Sequence, residues 1–159
     1  EPLRGWDPPL LRRLQDLAPF PVALDESLAG RDLESLLEGC VVARLVLKPM
    51  ALGGIRRCLE VARRAYGEGR EVVVTTTVDS GVGIRAALHL AAALPGVGVH
   101  GLATREWLRA DVGPAPALDH GFMAIGSEPG LGFTPSPEVA EAFTEGYSLD
   151  DPWTPELDR

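Results

Sequence analysis

The sequence lacks the features that mark membrane, secreted and nucleic-acid-binding proteins. No apolar run reaches the roughly 18 residues of a membrane span, and no signal peptide is visible. Basic residues number 15 against 23 acidic ones, which gives a net charge of −8. Because phosphate backbones require a basic surface, this balance argues against nucleic acid as the partner. The remaining composition, 45% hydrophobic and 24% charged, is that of a soluble globular protein.

Cysteine and histidine are also scarce. Cys40 and Cys58 form no CxxC pattern and lie in apolar segments, so we expect buried free thiols in a reducing compartment, the cytoplasm. The histidines lack metal-ligand spacing, and we interpret them as structural. No Gly-x-Ser-x-Gly, P-loop or dinucleotide motif occurs, which removes several common α/β enzyme classes.

Strand-like and helix-like segments alternate at a regular interval. The predicted strands are Phe20–Leu24, Ala43–Leu47, Glu71–Thr75 and Val97–His100. Their starts are separated by 23, 28 and 26 residues, the length of one strand–helix unit. This alternation favours a parallel sheet.

The segments around these strands have the helical period. The predicted helical faces are Leu10, Leu11, Leu14 and Leu17; Leu33, Leu36 and Leu37 after an N-cap at Asp32; Ile55, Cys58, Leu59, Ala62 and Ala65; and Val82, Ala86, Leu90, Ala93 and Leu94. Gly67 and Gly69 are expected to end the third helix.

The alternation within the strands favours a barrel over an open sheet. Between Ala43 and Lys48 one face is apolar, while Arg44, Val46 and Lys48 share the other. A barrel covers one strand face with helices and carries polar groups at the rim of the other. An open doubly wound sheet needs two apolar faces, as in the run 72–74.

The chain is too short for a complete eightfold barrel of about 250 residues. We therefore predict an α/β fold in which residues 1–103 form a partial TIM-like barrel of about four βα units, the C-terminal half of a longer enzyme. Proline and glycine become dense after Thr104, which predicts an irregular C-terminal segment over residues 104–159 with an acidic tail from about Glu145.

Acidic residues and a lysine stand where strands end. Glu1 opens the chain, Asp25 and Glu26 follow the first strand, and Lys48 follows the second. The carboxyl ends of barrel strands open on one face, where active sites are built. Two carboxylates suit a hard divalent cation, and a lysine nearby can meet negative charge or act as an acid or base. The alternatives to these functional roles are that Asp25 only caps the following loop and that Lys48 only extends its ammonium into water.

A second candidate element is the turn before the helix that starts near residue 81. The free amides and positive dipole end of that helix would seat a carboxylate at Ser80 and Gly81. The alternative is that Ser80 is an N-cap and that the glycines allow close packing. Gly101, after the last strand, would bring another backbone amide to the same cavity.

Together these elements resemble the enolase superfamily, in its muconate-lactonizing subgroup. The resemblance is carried by Glu1-Pro2, residues 23–28, residues 47–49 and Gly53-Gly54. Residues 79–83, 86–94, 100–104 and 129–132 are similar to the o-succinylbenzoate synthases of menaquinone biosynthesis. The resemblance covers roughly residues 1–133.

The resemblance implies a modified (βα)7β barrel whose capping domain and first strands are absent from this chain. It implies Mg²⁺, or Mn²⁺ in its place, with Glu1 and Asp25 as ligands beside an aspartate outside the chain. Lys48 would be catalytic, and Glu26 would orient Lys48 or Asp25. The expected donors to a substrate carboxylate are Ser80, Gly81 and Gly101.

The implied reaction is the syn dehydration of 2-succinyl-6-hydroxy-2,4-cyclohexadiene-1-carboxylate to o-succinylbenzoate. A lysine outside the chain would remove the α proton, and Lys48 would stabilise the anion from the opposite face, so this part alone should be inactive. The substrate is a small-molecule carboxylate, and the whole protein is expected to be a monomer or homo-oligomer. An N-succinylamino acid racemase or related muconate cycloisomerase-like enzyme, and a non-catalytic βα-repeat module, remain alternatives.

Overall fold

Three parallel strands and the helices that follow them contribute most of the buried hydrophobic residues. In a computed structural model of the chain, the described residues are 1–3, 6–30, 42–96 and 98–146. In chain order the elements are α1 (Pro8–Leu17), β1 (Ala23–Leu24), a 3-10 turn (Glu26–Leu28), β2 (Arg44–Leu47), α2 (Pro49–Leu52), α3 (Ile55–Gly67), β3 (Glu71–Val74), α4 (Gly81–Ala93), a 3-10 turn (Arg105–Trp107), β4 (Leu118–Asp119), β5 (Phe122–Met123) and α5 (Pro137–Gly146).

The strands pair in parallel in the order β1-β2-β3. Leu24 lies opposite Leu45, and Leu47 lies opposite Val74. The register therefore brings the carboxyl ends of all three strands to one edge of the sheet. The parallel sheet and the helices that follow β2 and β3 confirm the predicted alternation in the described residues.

The predicted first strand is shorter than expected because a side chain replaces part of its ladder. Gln15 of α1 accepts hydrogen bonds from the backbone N–H groups of Val22 and Ala43, both at 2.9 Å, and donates to the carbonyl of Phe20. Residues 20–22 and Ala43 thus precede the strands that were predicted to include them. One glutamine joins α1 to the amino ends of β1 and β2.

The fourth predicted strand, Val97–His100, is wrong. Residues 98–100 form no strand, Val97 lies outside the described residues, and a single parallel bridge joins Thr75 to Gly101. The reason is again a side chain: the Val74 N–H donates to His100 Nδ1 at 3.1 Å rather than to a backbone carbonyl. Gly101 then completes the bridge by donating to the carbonyl of Val74.

The predicted strand faces are confirmed by burial. Leu24, Leu45, Leu47 and Val74 are fully buried, and they share one hydrophobic cluster with the buried residues of α3, Cys58, Val61, Ala62 and Ala65. Gly69, just beyond the end of α3, has a positive φ of 72°, as expected at a helix C-terminus. Both α1 and α3 lie where the periodicity predicts them, but the predicted face of α1 is wrong in part. Leu11 is buried and Leu14 half-buried, whereas Leu10 and Leu17 are exposed.

The predicted face of α4 is wrong. Ile84, Ala87, Leu88 and Ala91 are buried, whereas Val82 and Ala86 are half-buried and Ala93 is exposed; of the predicted set only Leu90 and Leu94 are buried. The helix is apolar on nearly every side, so its periodicity defines no single stripe.

The C-terminal segment contains more structure than predicted. It forms an antiparallel hairpin of two short strands, β4 and β5, and the helix α5, which begins with Pro137 directly after Ser136. Ser136 Oγ accepts from the Val139 N–H, and a Ser–Pro–Glu start is a recognised helix signal that the prediction did not use.

Three predicted features lie outside the described residues: the helix after Asp32, Cys40 and the tail beyond residue 146. In the described part of the chain, no helix is long and apolar enough to cross a membrane.

We predict that Gln15→Ala lowers the free energy of unfolding by about 2 kcal/mol, because two backbone N–H groups lose their acceptor. Urea unfolding of the variant measures this loss. Asp16→Ala, on the exposed side of the same helix, is the matched control and should stay within about 0.5 kcal/mol of the parent. Equal losses in the two variants would contradict the prediction.

Candidate active site

The carboxyl edge of the sheet brings together the charged residues that the sequence singled out. Asp25 follows β1 and Lys48 follows β2, and these strands are paired neighbours. Pro49 opens α2 immediately after Lys48, and its missing N–H ends the strand ladder there. Both side chains therefore leave the sheet at the same edge.

Lys48 makes two short ion contacts. Its Nζ lies 2.8 Å from Asp25 Oδ1 and 2.7 Å from Glu26 Oε1. The side chains of Lys48 and Asp25 are 17% and 23% exposed, whereas that of Glu26 is 73% exposed. Burial alone would lower the pKa of Lys48, but the contacts with Asp25 and Glu26 outweigh it and raise that pKa above its usual value. The lysine is therefore held as an ammonium.

Glu1 is joined to the same loop. Its Oε2 accepts hydrogen bonds from the backbone N–H groups of Asp25, at 2.9 Å, and Ser27, at 3.0 Å, while its Oε1 accepts from the Ser27 hydroxyl. Burial acts to raise the pKa of Glu1, yet these hydrogen bonds hold it below its usual value. The hydrogen bond from Lys48 lowers the pKa of Glu26 in the same way.

A cavity of about 230 Å³ opens beside these groups. It is lined by Asp25, Glu26, Ala29, Val46, Lys48, Ala51, Leu52 and Thr77. A wider groove also borders Glu26 and is lined by Glu1, Leu3, Glu26 and Ser27. Polar groups thus converge at one side of a half-apolar cavity, the usual form of a small-molecule site.

The oxygen donors at this edge fit a hard divalent cation. Glu1, before α1, and Asp25, after β1, both offer carboxylates here, and Asp25 Oδ1 is buried without an aligned hydrogen bond, its ion contact with Lys48 apart. Mg²⁺ binds carboxylate oxygens and keeps several waters, so it needs few protein ligands. Within residues 1–3, 6–30, 42–96 and 98–146, no group of three or more His, Cys, Asp or Glu side chains could hold a metal ion. Further ligands would come from water, substrate or residues beyond these.

At the predicted carboxylate-binding site, the N-terminus of α4 binds a carboxylate of the chain itself, that of Asp111. The Gly81 N–H donates to both oxygens of Asp111, at 3.0 and 2.9 Å, and Arg105 Nε lies 2.6 Å from Asp111 Oδ2. Ser80 precedes the helix but its side chain makes no capping hydrogen bond. The Gly101 N–H is donated to Val74. The backbone N–H groups of Gly81 and Gly101 thus already have partners within the chain. The substrate-binding role of Ser80, Gly81 and Gly101 stays a prediction.

Two acidic residues were missed by the sequence analysis. The side chain of Asp111 is 3% exposed and caps α4 from 30 positions along the chain, which no local pattern signals. Asp79 is 7% exposed, and its Oδ1 accepts from the N–H and the hydroxyl of Thr77. The Thr–x–Asp spacing before the turn was its available signal. Val78, between Thr77 and Asp79, has a φ of +79°, a conformation that costs a β-branched residue about 1–3 kcal/mol.

Residues 1–139 match the protein family described as Enolase C-terminal domain-like. The o-succinylbenzoate synthase of Thermobifida fusca (strain YX) is 38% identical over 108 residues, which cover 66% of this chain and 33% of that protein. The o-succinylbenzoate synthase of Mycobacterium bovis (strain BCG / Pasteur 1173P2) is 36% identical over 135 residues, or 84% of this chain and 38% of that protein. The chain therefore spans well under half the length of these relatives.

Solved structures give the same picture of the fold. The muconate lactonizing enzyme from Pseudomonas putida matches with a TM-score of 0.74 at 25% identity, over 84% of this chain and 38% of that one. The N-succinyl Arg/Lys racemase from Bacillus cereus ATCC 14579 has a TM-score of 0.77 at 22% identity, over 89% of this chain and 38% of that one, a likeness of fold alone. The predicted enolase-type α/β fold, of which this chain forms a part, is confirmed.

We predict that Asp111→Ala lowers the free energy of unfolding by about 2 kcal/mol, since the Gly81 N–H and the Arg105 guanidinium lose a buried partner and Arg105 is itself partly exposed. Chemical denaturation provides the measurement. Glu106→Ala removes an exposed carboxylate from the adjoining 3-10 turn and is the control. The prediction fails if both variants unfold at the same midpoint.

We also predict that stability decreases as the pH falls through 6.5. Burial lowers the pKa of His100 below its usual 6.5, and the neutral ring accepts from the Val74 N–H. Below pH 6.5 the unfolded chain binds a proton that the folded chain does not, so acidification favours unfolding until the folded pKa is reached. An NMR titration of the His100 ring measures the pKa, and melting on both sides of pH 6.5 measures the stability. A titration at or above 6.5 would contradict the prediction.

Proposed function

Because the chain belongs to the enolase C-terminal domain-like family, we propose that it forms part of an o-succinylbenzoate synthase, a lyase. The observation that carries the proposal is Lys48, whose ammonium lies 2.8 Å from Asp25 beside the cavity at the carboxyl edge of the sheet. The identities of 38% and 36% with two o-succinylbenzoate synthases support this choice of reaction. The proposal concerns the whole protein, in which we assign residues 1–103 to the C-terminal half of the barrel and residues 104–159 to an irregular C-terminal segment with an acidic tail.

The proposed substrate is 2-succinyl-6-hydroxy-2,4-cyclohexadiene-1-carboxylate. The C–H bond next to its carboxylate breaks, the ring hydroxyl leaves with a proton as water, and the ring becomes aromatic. We assign the removal of the α proton to a base outside this chain. Lys48 supplies a fixed positive charge to the negative charge that develops on the substrate, which is the kind of interaction that lowers a barrier most.

The acids around Lys48 determine what it can do. Asp25 and Glu26 raise its pKa, so at neutral pH the lysine is a charge and a proton donor rather than a base. Asp25 is itself half-buried, and its contact with Lys48 orients the ammonium at the cavity wall. Glu26, mostly exposed, adds charge without filling the cavity.

Glu1 and Asp25 would hold the divalent cation. A bound Mg²⁺ ion supplies positive charge to the substrate carboxylate and makes the neighbouring proton more acidic. Glu1 is kept ionised by the amides of Asp25 and Ser27, so it is ready to serve as a ligand at neutral pH. We propose that Ser80, Gly81 and Gly101 lie on the substrate side of the same edge, as expected from the sequence.

Lys48→Ala in the whole protein should lower kcat for the Mg²⁺-dependent dehydration by about 10²–10³-fold, because one preorganised charge at the reacting group is lost. The formation of o-succinylbenzoate is followed by its absorbance. Arg44→Ala is the matched control: it removes a cation from the same face of β2 at the opposite edge, where Arg44 pairs with Glu71.

Activity in Arg44→Ala should stay within about threefold of the parent, as expected for an exposed pair. Retained activity in Lys48→Ala would remove Lys48 from the mechanism. A parent that racemises N-succinyl amino acids but dehydrates nothing would replace the synthase with a racemase on the same fold.

A further inference from the structure

The turn between β3 and α4 contains a buried acid that the proposed reaction does not use. Asp79 is 7% exposed, and its Oδ1 accepts from the Thr77 N–H at 3.2 Å and from the Thr77 hydroxyl. Thr77 lines the same cavity as Lys48 and Asp25. A buried carboxylate therefore holds a side chain of the cavity wall in place.

This arrangement is unfavourable for folding. Asp79 Oδ2 is buried and accepts no hydrogen bond from the described residues. It lies in the turn against Gly83, where a Cβ would come within 2.7 Å of Asp79 Cβ. Val78, between the two partners, has a positive φ of 79°. A half-paired buried charge beside a strained backbone is typical of a turn under functional constraint.

The hydrogen bond determines what Thr77 can offer. A hydroxyl has one hydrogen, and an ionised carboxylate only accepts, so the hydrogen of Thr77 is directed to Asp79. Any further partner of Thr77 Oγ1 has to donate to it. This oxygen therefore disfavours a carboxylate and favours a hydroxyl or an N–H group.

We propose that Asp79 is a positioning residue that fixes Thr77 Oγ1 as the acceptor for a hydrogen-bond donor on the substrate. The inference rests on the proposed function, in which the donor is the ring hydroxyl of the cyclohexadiene substrate. The contact belongs to the bound substrate before the reaction, so its loss raises KM more than it lowers kcat.

The test is a double-mutant cycle in the whole protein. Asp79→Ala and Thr77→Val should each raise KM by up to about tenfold, the value of one well-oriented hydrogen bond between neutral groups. Because Asp79 acts through Thr77, the double variant should be no worse than Thr77→Val alone. Asp79→Asn keeps an acceptor at the same place and should restore KM to within about threefold of the parent. Additive losses, or Asp79→Asn as impaired as Asp79→Ala, would overturn the proposal.

A second readout does not depend on the reaction. Amide hydrogen exchange at Thr77 should be about tenfold faster in Asp79→Ala than in the parent, because the N–H loses its acceptor, and should be unchanged in Thr77→Val. Unchanged exchange in Asp79→Ala would overturn the positioning role whatever the activity. If the parent dehydrates no substrate while exchange behaves as expected, the proposed function fails and the positioning of Thr77 stands.

Discussion

The parallel pairing of β1 with β2 is the constraint on which the site depends. It aligns Leu24 with Leu45, so the residues that follow each strand leave the sheet at the same edge. Asp25 and Lys48 then meet at 2.8 Å although 23 positions separate them in the chain. A shift of the register by one residue would turn Leu45 and Leu47 away from the hydrophobic core and Lys48 away from Asp25, so the buried leucines that stabilise the sheet also align the charges.

Side chains of distant residues complete the backbone where the sheet ends. Gln15 accepts the amides at the amino ends of β1 and β2, His100 accepts the Val74 amide, and Asp111 accepts the first amide of α4. Each satisfies a group that would otherwise be buried without a partner. The short strands are stable here because three polar side chains replace missing strand and helix neighbours.

Local patterns predicted the elements well and the contacts between distant residues less well. Alternation in β2 and the helical period of α3 were sufficient, because each records which face is buried. The fourth strand failed because His100 replaces a carbonyl, and the face of α4 failed because the helix is apolar all round. At the site, Asp25, Glu26 and Lys48 were predicted and are found together, whereas the roles of Asp79 and Asp111 depend on turn geometry and on a contact across 30 residues.

The charges at the edge explain why Lys48 has two acidic partners. A charge pair at 2.8 Å is strong when half-buried, but in the proposed function Asp25 is also a ligand of the divalent cation, and a cation there would repel the ammonium. Glu26, at 2.7 Å from Lys48 and largely exposed, is not a proposed ligand of the cation. Under the proposed function, Glu26 remains a partner of the ammonium when Asp25 binds the cation. Two acids would then serve cation binding and orientation of the lysine separately, which one carboxylate could not do at the same time.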